Sequence, residues 1–190
     1  FFVMDPATTS ESTGVILVPV DLTTCSSDLI EPAIEHARAK DARVVLLHAL
    51  QIPPGVQPDT VLGAGREGLE TTVLDALSNE AANLLEPLLE DLRSAGVGAE
   101  ALLRVGDPAR VIVDVARELR VEAVIMNTHG RRGLSRLLLG SVAEKVQRQA
   151  NAPVVTLRRQ HRDSCTPSSC SWCPAHRSAT TDRVAAEQEG

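Results

Sequence analysis

Apolar positions along this chain follow two alternating patterns. Val15-Ile16-Leu17-Val18-Pro19-Val20 is an unbroken apolar run, the mark of a strand buried on both faces. Pro19 stands near its end, where a missing donor costs least. Ile30, Ala33, Ile34 and Ala37 then recur at helical spacing behind Thr23, Thr24, Ser26, Ser27 and Asp28, a cluster of N-cap residues. Val44 to Leu50 reads as a second buried strand. Residues 51–65 hold three prolines and three glycines and read as a loop.

Leu77, Ala81, Leu84, Leu85, Leu88 and Leu92 mark a long helix that Pro87 should kink and Gly96 should end. Val97 to Val105 is a third strand. Asp107-Pro108 is an N-cap followed by proline at the first helical position. Val111, Ile112, Val115, Ala116 and Leu119 give the next helix its buried face. Val121 to Met126 and residues 153–157 are the fourth and fifth strands, separated by a glycine-containing loop and a helix over 141–150.

The order β-α-β-α-β-α-β-α-β predicts an α/β fold, an open five-stranded parallel sheet with helices on both faces. Such sheets bind ligands outside the carboxyl ends of their strands, where the winding reverses. That directs attention to Asp21, Ala49 and the residues from Asn127 onward. The pattern is absent from residues 1–13, expected to be a loose leader in which Met4 is the expected start. It is absent again from 159–190, expected to be a disordered tail.

Composition narrows the function. With 190 residues, 43% hydrophobic, there is enough for one core, built without aromatic residues, which make up 2%. A net charge of −6 argues against a dedicated nucleic-acid binder, and so few aromatics argue against a stacking platform for single strands. No apolar run reaches membrane-spanning length and no signal-peptide pattern is present, so a soluble cytoplasmic protein is expected. Three basic residues, Arg158, Arg159 and Arg162, read as a solvated surface.

The segment richest in chemistry is Asn127-Thr128-His129-Gly130-Arg131-Arg132-Gly133-Leu134-Ser135-Arg136, continuing to Gly140-Ser141-Val142. It leads from a buried strand into a helix. Glycine lets the backbone approach a ligand, and a helix start favours an anion. Arg131, Arg132 and Arg136 add positive charge suited to a polyphosphate. A plainer reading stands beside this one: Ser141-Val142-Ala143-Glu144 has the form of a capping box, and its serine would then only cap the helix.

Residues 14–158, about three quarters of the chain, resemble a universal stress protein domain. The resemblance is carried by Thr128 through Val146, by Val18-Pro19-Val20-Asp21, Val45-Leu46-Leu47-His48, Arg104-Val105-Gly106-Asp107-Pro108 and Ala152-Pro153-Val154-Val155. It implies a Rossmann-like sheet of the adenine nucleotide-binding type. The ATP-binding branch of that family carries Gly-x2-Gly-x9-Gly-Ser/Thr. Gly130, Gly140 and Ser141 match it, and Asn127 stands where the first glycine would be.

The resemblance further implies ATP, with Mg²⁺ a possible companion. Asp21 would hold the ribose or adenine edge, with Pro19 beside it. Ala49 and Met126 would line the base pocket. Gly130, Gly140, Ser141 and Val142 would hold the phosphates with backbone amides, and the Asn127 side chain would stand near the ligand. It also implies a homodimer through edge strand 153–157 and a protein partner of unknown identity, with neither nucleic acid nor membrane as partner. Asp21 has an alternative reading as a cap or loop carboxylate. His48 reads as a satisfied strand-end histidine, and His129 as the better candidate for ligand contact.

No Walker loop, magnesium carboxylate pair or general base is apparent, so a regulatory binding module is expected in place of an enzyme, with slow ATP hydrolysis left open. An adenylating enzyme would need a glycine-rich loop where Asp21-Leu22-Thr23-Thr24-Cys25-Ser26 stands. A nucleotide-free interaction module of the same fold is the alternative that Asn127 supports. Cys165-x4-Cys170-x2-Cys173-x2-His176 has the composition of a zinc site but lacks a folded insert between paired knuckles, so reactive thiols are the preferred reading. Cys25 has no assignable partner and reads as a loop residue.

Overall fold

The structure, a computed structural model, describes residues 2–3, 14–22, 27–64, 70–128 and 140–157. Its elements are β1 (Phe2–Val3), β2 (Gly14–Pro19), a 3-10 turn (Ser27–Leu29), α1 (Ile30–Lys40), β3 (Ala42–Leu50), β4 (Val61–Ala64), β5 (Glu70–Thr72) and α2 (Val73–Ser94). They continue with β6 (Ala99–Val105), α3 (Pro108–Glu118), β7 (Ala123–Asn127), α4 (Ser141–Gln149) and β8 (Val154–Leu157).

The main sheet runs β1-β6-β3-β2-β7-β8. Its five strands from β6 to β8 are parallel, as the alternation predicts. β1, two residues of the expected leader, pairs antiparallel on β6, Phe2 opposite Leu102. The register places Ile16 beside Val44 on one side and Ala123 on the other.

Alternation along each strand divides the core into two layers. Ile16, Val18, Val44, Leu46, Leu103 and Ile125 face one side and pack with Ala33 of α1 and Leu85 of α2. Leu17, Val45, Leu47, Leu102, Val124 and Met126 face the other and pack with Ile112 of α3 and Val146 of α4. Every strand but the edges is therefore buried on both faces, which is why its sequence reads as a continuous apolar run.

Three local expectations change. The loop expected over 51–65 contains β4, which forms an antiparallel hairpin with β5, Val61 opposite Thr72. The strands are four and three residues long, too brief to leave a two-residue period in the sequence. The helix α2 begins at Val73, earlier than the leucine pattern, because Thr72 caps it. Thr72 Oγ1 accepts from the Asp75 N–H at 3.1 Å, and Asp75 returns the bond by accepting from the Thr72 N–H at 3.1 Å. The helix is continuous across Pro87. Leu85, Leu88, Leu89 and Leu92, on either side of the proline, are all held in the core, and that packing outweighs one missing backbone bond.

The third change concerns α1. Its N-cap is Leu29, already right-handed at φ −88° and ψ −22°, with no side-chain cap bond. The 3-10 turn feeds straight into the helix, so no extended residue precedes it to act as a cap. Ser27 and Asp28 belong to that turn, and Thr23, Thr24 and Ser26 lie outside the described residues.

The capping box gives a pH-dependent prediction. Accepting bonds from the Thr72 hydroxyl and N–H holds the Asp75 carboxyl below its usual 3.8. A depressed folded-state pKa adds stability that is present above the ordinary value and is lost as pH falls through the folded one. Denaturant titrations of wild type and Asp75→Asn should therefore differ most near neutral pH, wild type being the more stable, and converge on acidification.

Candidate functional site

The winding of the sheet reverses at β2. The chain leaves β2 through α1 to β3 on one side, whereas β7, its other neighbour, continues through α4 to β8. The connections after β2 and β7 therefore part to opposite faces of the sheet and leave a crevice outside their carboxyl ends. Asp21 follows β2 there and is exposed; Asn127 ends β7.

Two interactions fix its walls. Val20 donates its N–H to the Leu47 carbonyl at 2.9 Å, and Val20's own carbonyl accepts from His48 Nδ1 at 2.9 Å. The carbonyl can only accept, so Nδ1 carries the hydrogen. His48 thus tethers the turn bearing Asp21 to β3, in keeping with its reading as a satisfied strand-end histidine. Across the crevice, Gly140 donates to the Thr128 carbonyl at 2.8 Å, and Thr128 donates its N–H to Leu157 at 3.1 Å. These bonds join the two ends of the connection between β7 and α4 and seat the start of α4 against the strand ends. Gly130, His129, Arg131, Arg132 and Arg136, within that connection, lie outside the described residues, as do Cys25, Cys165, Cys170, Cys173 and His176.

The start of α4 departs from the capping-box expectation. Gly140 is the N-cap, at φ −59° and ψ 148°, and no side chain among the described residues caps the helix. Ser141 is already the first helical residue. Glu144, the other half of the expected box, instead lies 3.8 Å from Arg148. Gly140 gives its N–H to Thr128, so the first-turn N–H groups left without an intrahelical carbonyl belong to Ser141, Val142 and the buried Ala143. Three N–H groups and the positive end of the helix dipole suit an anion.

Ala49, Met126 and Val142 come together in the apolar layer against α3 and α4, Met126 buried and the other two half-buried. Pro19, half-buried, ends β2 beside them. An apolar wall next to a helix start is the arrangement a nucleotide base and phosphate require. Two buried oxygens also lack a partner among the described residues: Oδ1 of Asn127 and Oδ2 of Asp28. Sequence reasoning missed Asp28 as anything but a cap. A charged groove between α3 and α4, lined by Asp107, Arg110, Asp114, Arg117 and Lys145, includes none of the residues of the crevice.

Comparison with known proteins agrees with this geometry. Residues 13–158 match the sequence model of the Universal stress protein family. Universal stress protein MJ0577 of Methanocaldococcus jannaschii is 31% identical over 158 residues, covering 77% of this chain and 95% of that one. A solved structure of the MJ0577 protein superposes with a TM-score of 0.57 at 29% identity, over 80% of this chain and 99% of that one. A universal stress protein from Archaeoglobus fulgidus, solved in complex with dAMP, is 28% identical and superposes with a TM-score of 0.51, over 75% of this chain and 96% of that one.

The uncapped start of α4 is directly testable. Ser141→Ala should leave unfolding stability within about 0.5 kcal/mol of wild type, as for a surface residue without a structural bond. A loss of about 1 kcal/mol in a denaturant titration would show that the serine caps after all.

Proposed function

The chain belongs to the universal stress protein family, and we propose that its crevice binds ATP as a regulatory ligand. The observation that carries this reading is the start of α4, which presents backbone donors at the reversal of the sheet with no side chain of its own capping them. In this reading the Ser141 and Val142 amides hold the phosphates. Gly140, having no Cβ, leaves them room, and Gly130 adds to the cradle. Ala49, Met126 and Pro19 line the base, and Asp21 takes the ribose or the adenine edge. The Archaeoglobus fulgidus protein with dAMP supports an adenine nucleotide as the ligand class.

Such a protein acts by binding, coupling nucleotide occupancy to a partner in the cytoplasm rather than turning over a substrate. Mg²⁺ would accompany the phosphates. Among the described residues no helix is long and apolar enough to cross a membrane.

A second reading, a nucleotide-free interaction module, has Asn127 in its favour, since a side chain stands where the ATP-binding motif has glycine. Under either reading we propose a homodimer. The strand β8 is an edge of the sheet, with one side free to pair.

Nucleotide extracted from freshly purified protein, with an ATP titration in the presence and absence of Mg²⁺, separates the two readings. Bound or titratable ATP is expected; its absence from folded protein leaves the interaction module. Gly140→Asp provides a good N-cap, so the fold should persist. Its added carboxylate opposes the phosphates, and affinity should fall about tenfold or more.

The dimer has its own test. Leu157 and Pro153 turn their carbonyls toward β7, which leaves the N–H of Thr156 on the free edge. Thr156→Pro should therefore convert dimer to monomer in light scattering while the fold is retained.

A further inference from the structure

The chain carries a net charge of −6, yet the groove between α3 and α4 gathers cations: Arg110 and Arg117 from α3 and Lys145 from α4. Ala109 and Val113, both buried, supply its apolar floor. Two carboxylates share the groove without using up these cations. Asp107 accepts from the Arg110 N–H and is committed to capping α3. Asp114 stands between the arginines, 3.6 Å from Arg110 Nε and 3.7 Å from Arg117 Nη1. Both distances are too long for hydrogen bonds. The side-chain donors of all three cations therefore have no protein acceptor among the described residues. Exposed pairs at such range contribute little to stability, so holding α3 together does not account for two arginines here.

Arg110 and Arg117 are seven positions apart on one helix, about 10 Å along its axis. Lys145 lines the opposite wall. Cations separated in this way, with Asp114 between two of them, suit a ligand whose negative charges are also separate. A continuous phosphate backbone would run against Asp114 and against the net charge of the chain. The groove encloses about 610 Å³, room for several side chains, where a lone ion would fill little of it. We propose that this groove docks an acidic segment of a partner polypeptide. Its Asp or Glu carboxylates pair with Arg110, Arg117 and Lys145, and its backbone lies over Ala109 and Val113. Guanidinium groups suit this role because each offers a planar fork of donors to a carboxylate. The inference names the surface and the chemistry of a protein partner, and it stands independently of the nucleotide reading. One helix borders both places: α4 carries Lys145 in the groove and Ser141 at the crevice.

The test uses the full chain without nucleotide and a fluorescent peptide of alternating glutamate and alanine, about twelve residues long, which outreaches the span from Arg110 to Arg117. Fluorescence anisotropy should show saturable binding that weakens as salt is raised, and the glutamine–alanine counterpart should not bind. Arg117→Glu and Lys145→Glu, both at exposed positions, should keep the wild-type circular dichroism spectrum and each lose about tenfold or more in affinity. Lys40→Glu changes the net charge equally but lies on α1, which packs on the other face of the sheet, and should bind the peptide as wild type does. Absence of binding by wild type overturns the proposal, as does equal binding of the glutamine peptide or wild-type affinity in either groove variant. A loss as large in Lys40→Glu also overturns it and marks an effect of net charge alone. Tighter binding of a thymidine oligonucleotide, lost in the groove variants, overturns it as well and makes the groove a nucleic-acid surface.

Discussion

Parallel strands joined by right-handed crossovers force a choice of face at every connection. In this chain the choice changes between β2 and β7, and the arrangement of the functional residues depends on that change. Because α1 leaves β2 toward one face and α4 leaves for the other, no helix among the described residues covers the carboxyl ends of β2 and β7. The same division sorts the side chains. Met126 falls in the layer with α3 and α4, and Asn127, one residue on, faces the layer with α1. A base-lining residue and a polar acceptor thus stand side by side without either being placed by a loop.

The sheet was legible because burial on both faces writes each parallel strand as a run of Val, Leu and Ile, as in Val44 to Leu47. The third helix was legible because Asp107 and Pro108 mark its start, and Asp107 does accept from the Arg110 N–H at 3.1 Å. The hairpin of β4 and β5 was not, since strands of only four and three residues leave no period to read. The leader likewise gave no sign that Phe2 and Val3 would pair with β6.

The cap patterns show a subtler limit. Thr72-x-x-Asp75 and Ser141-x-x-Glu144 are similar in sequence, yet only the first forms a capping box. What separates them is tertiary. Thr72 leaves a strand in extended conformation, whereas Gly140, bonded to the Thr128 carbonyl, is itself the N-cap of α4. The position of the crevice could be inferred from chain order alone. The state of its donors depended on a hydrogen bond between residues that sequence separates by a long connection. Asp28 was hidden for the same reason: an acid before a helix reads as a cap until the helix is seen to begin without one.

The central claim is that the crevice between β2 and β7, lined by Asp21, Asn127 and the start of α4, is where an adenine nucleotide binds. The most direct measurement is a nitrogen-15 correlation spectrum of the full chain during titration with ATP. The account predicts that the amide signals of Asp21, Asn127, Ser141 and Val142 shift together and saturate at one concentration. Stationary signals at those residues, with shifts confined to Arg110, Asp114 and Lys145 in the groove between α3 and α4, would contradict it.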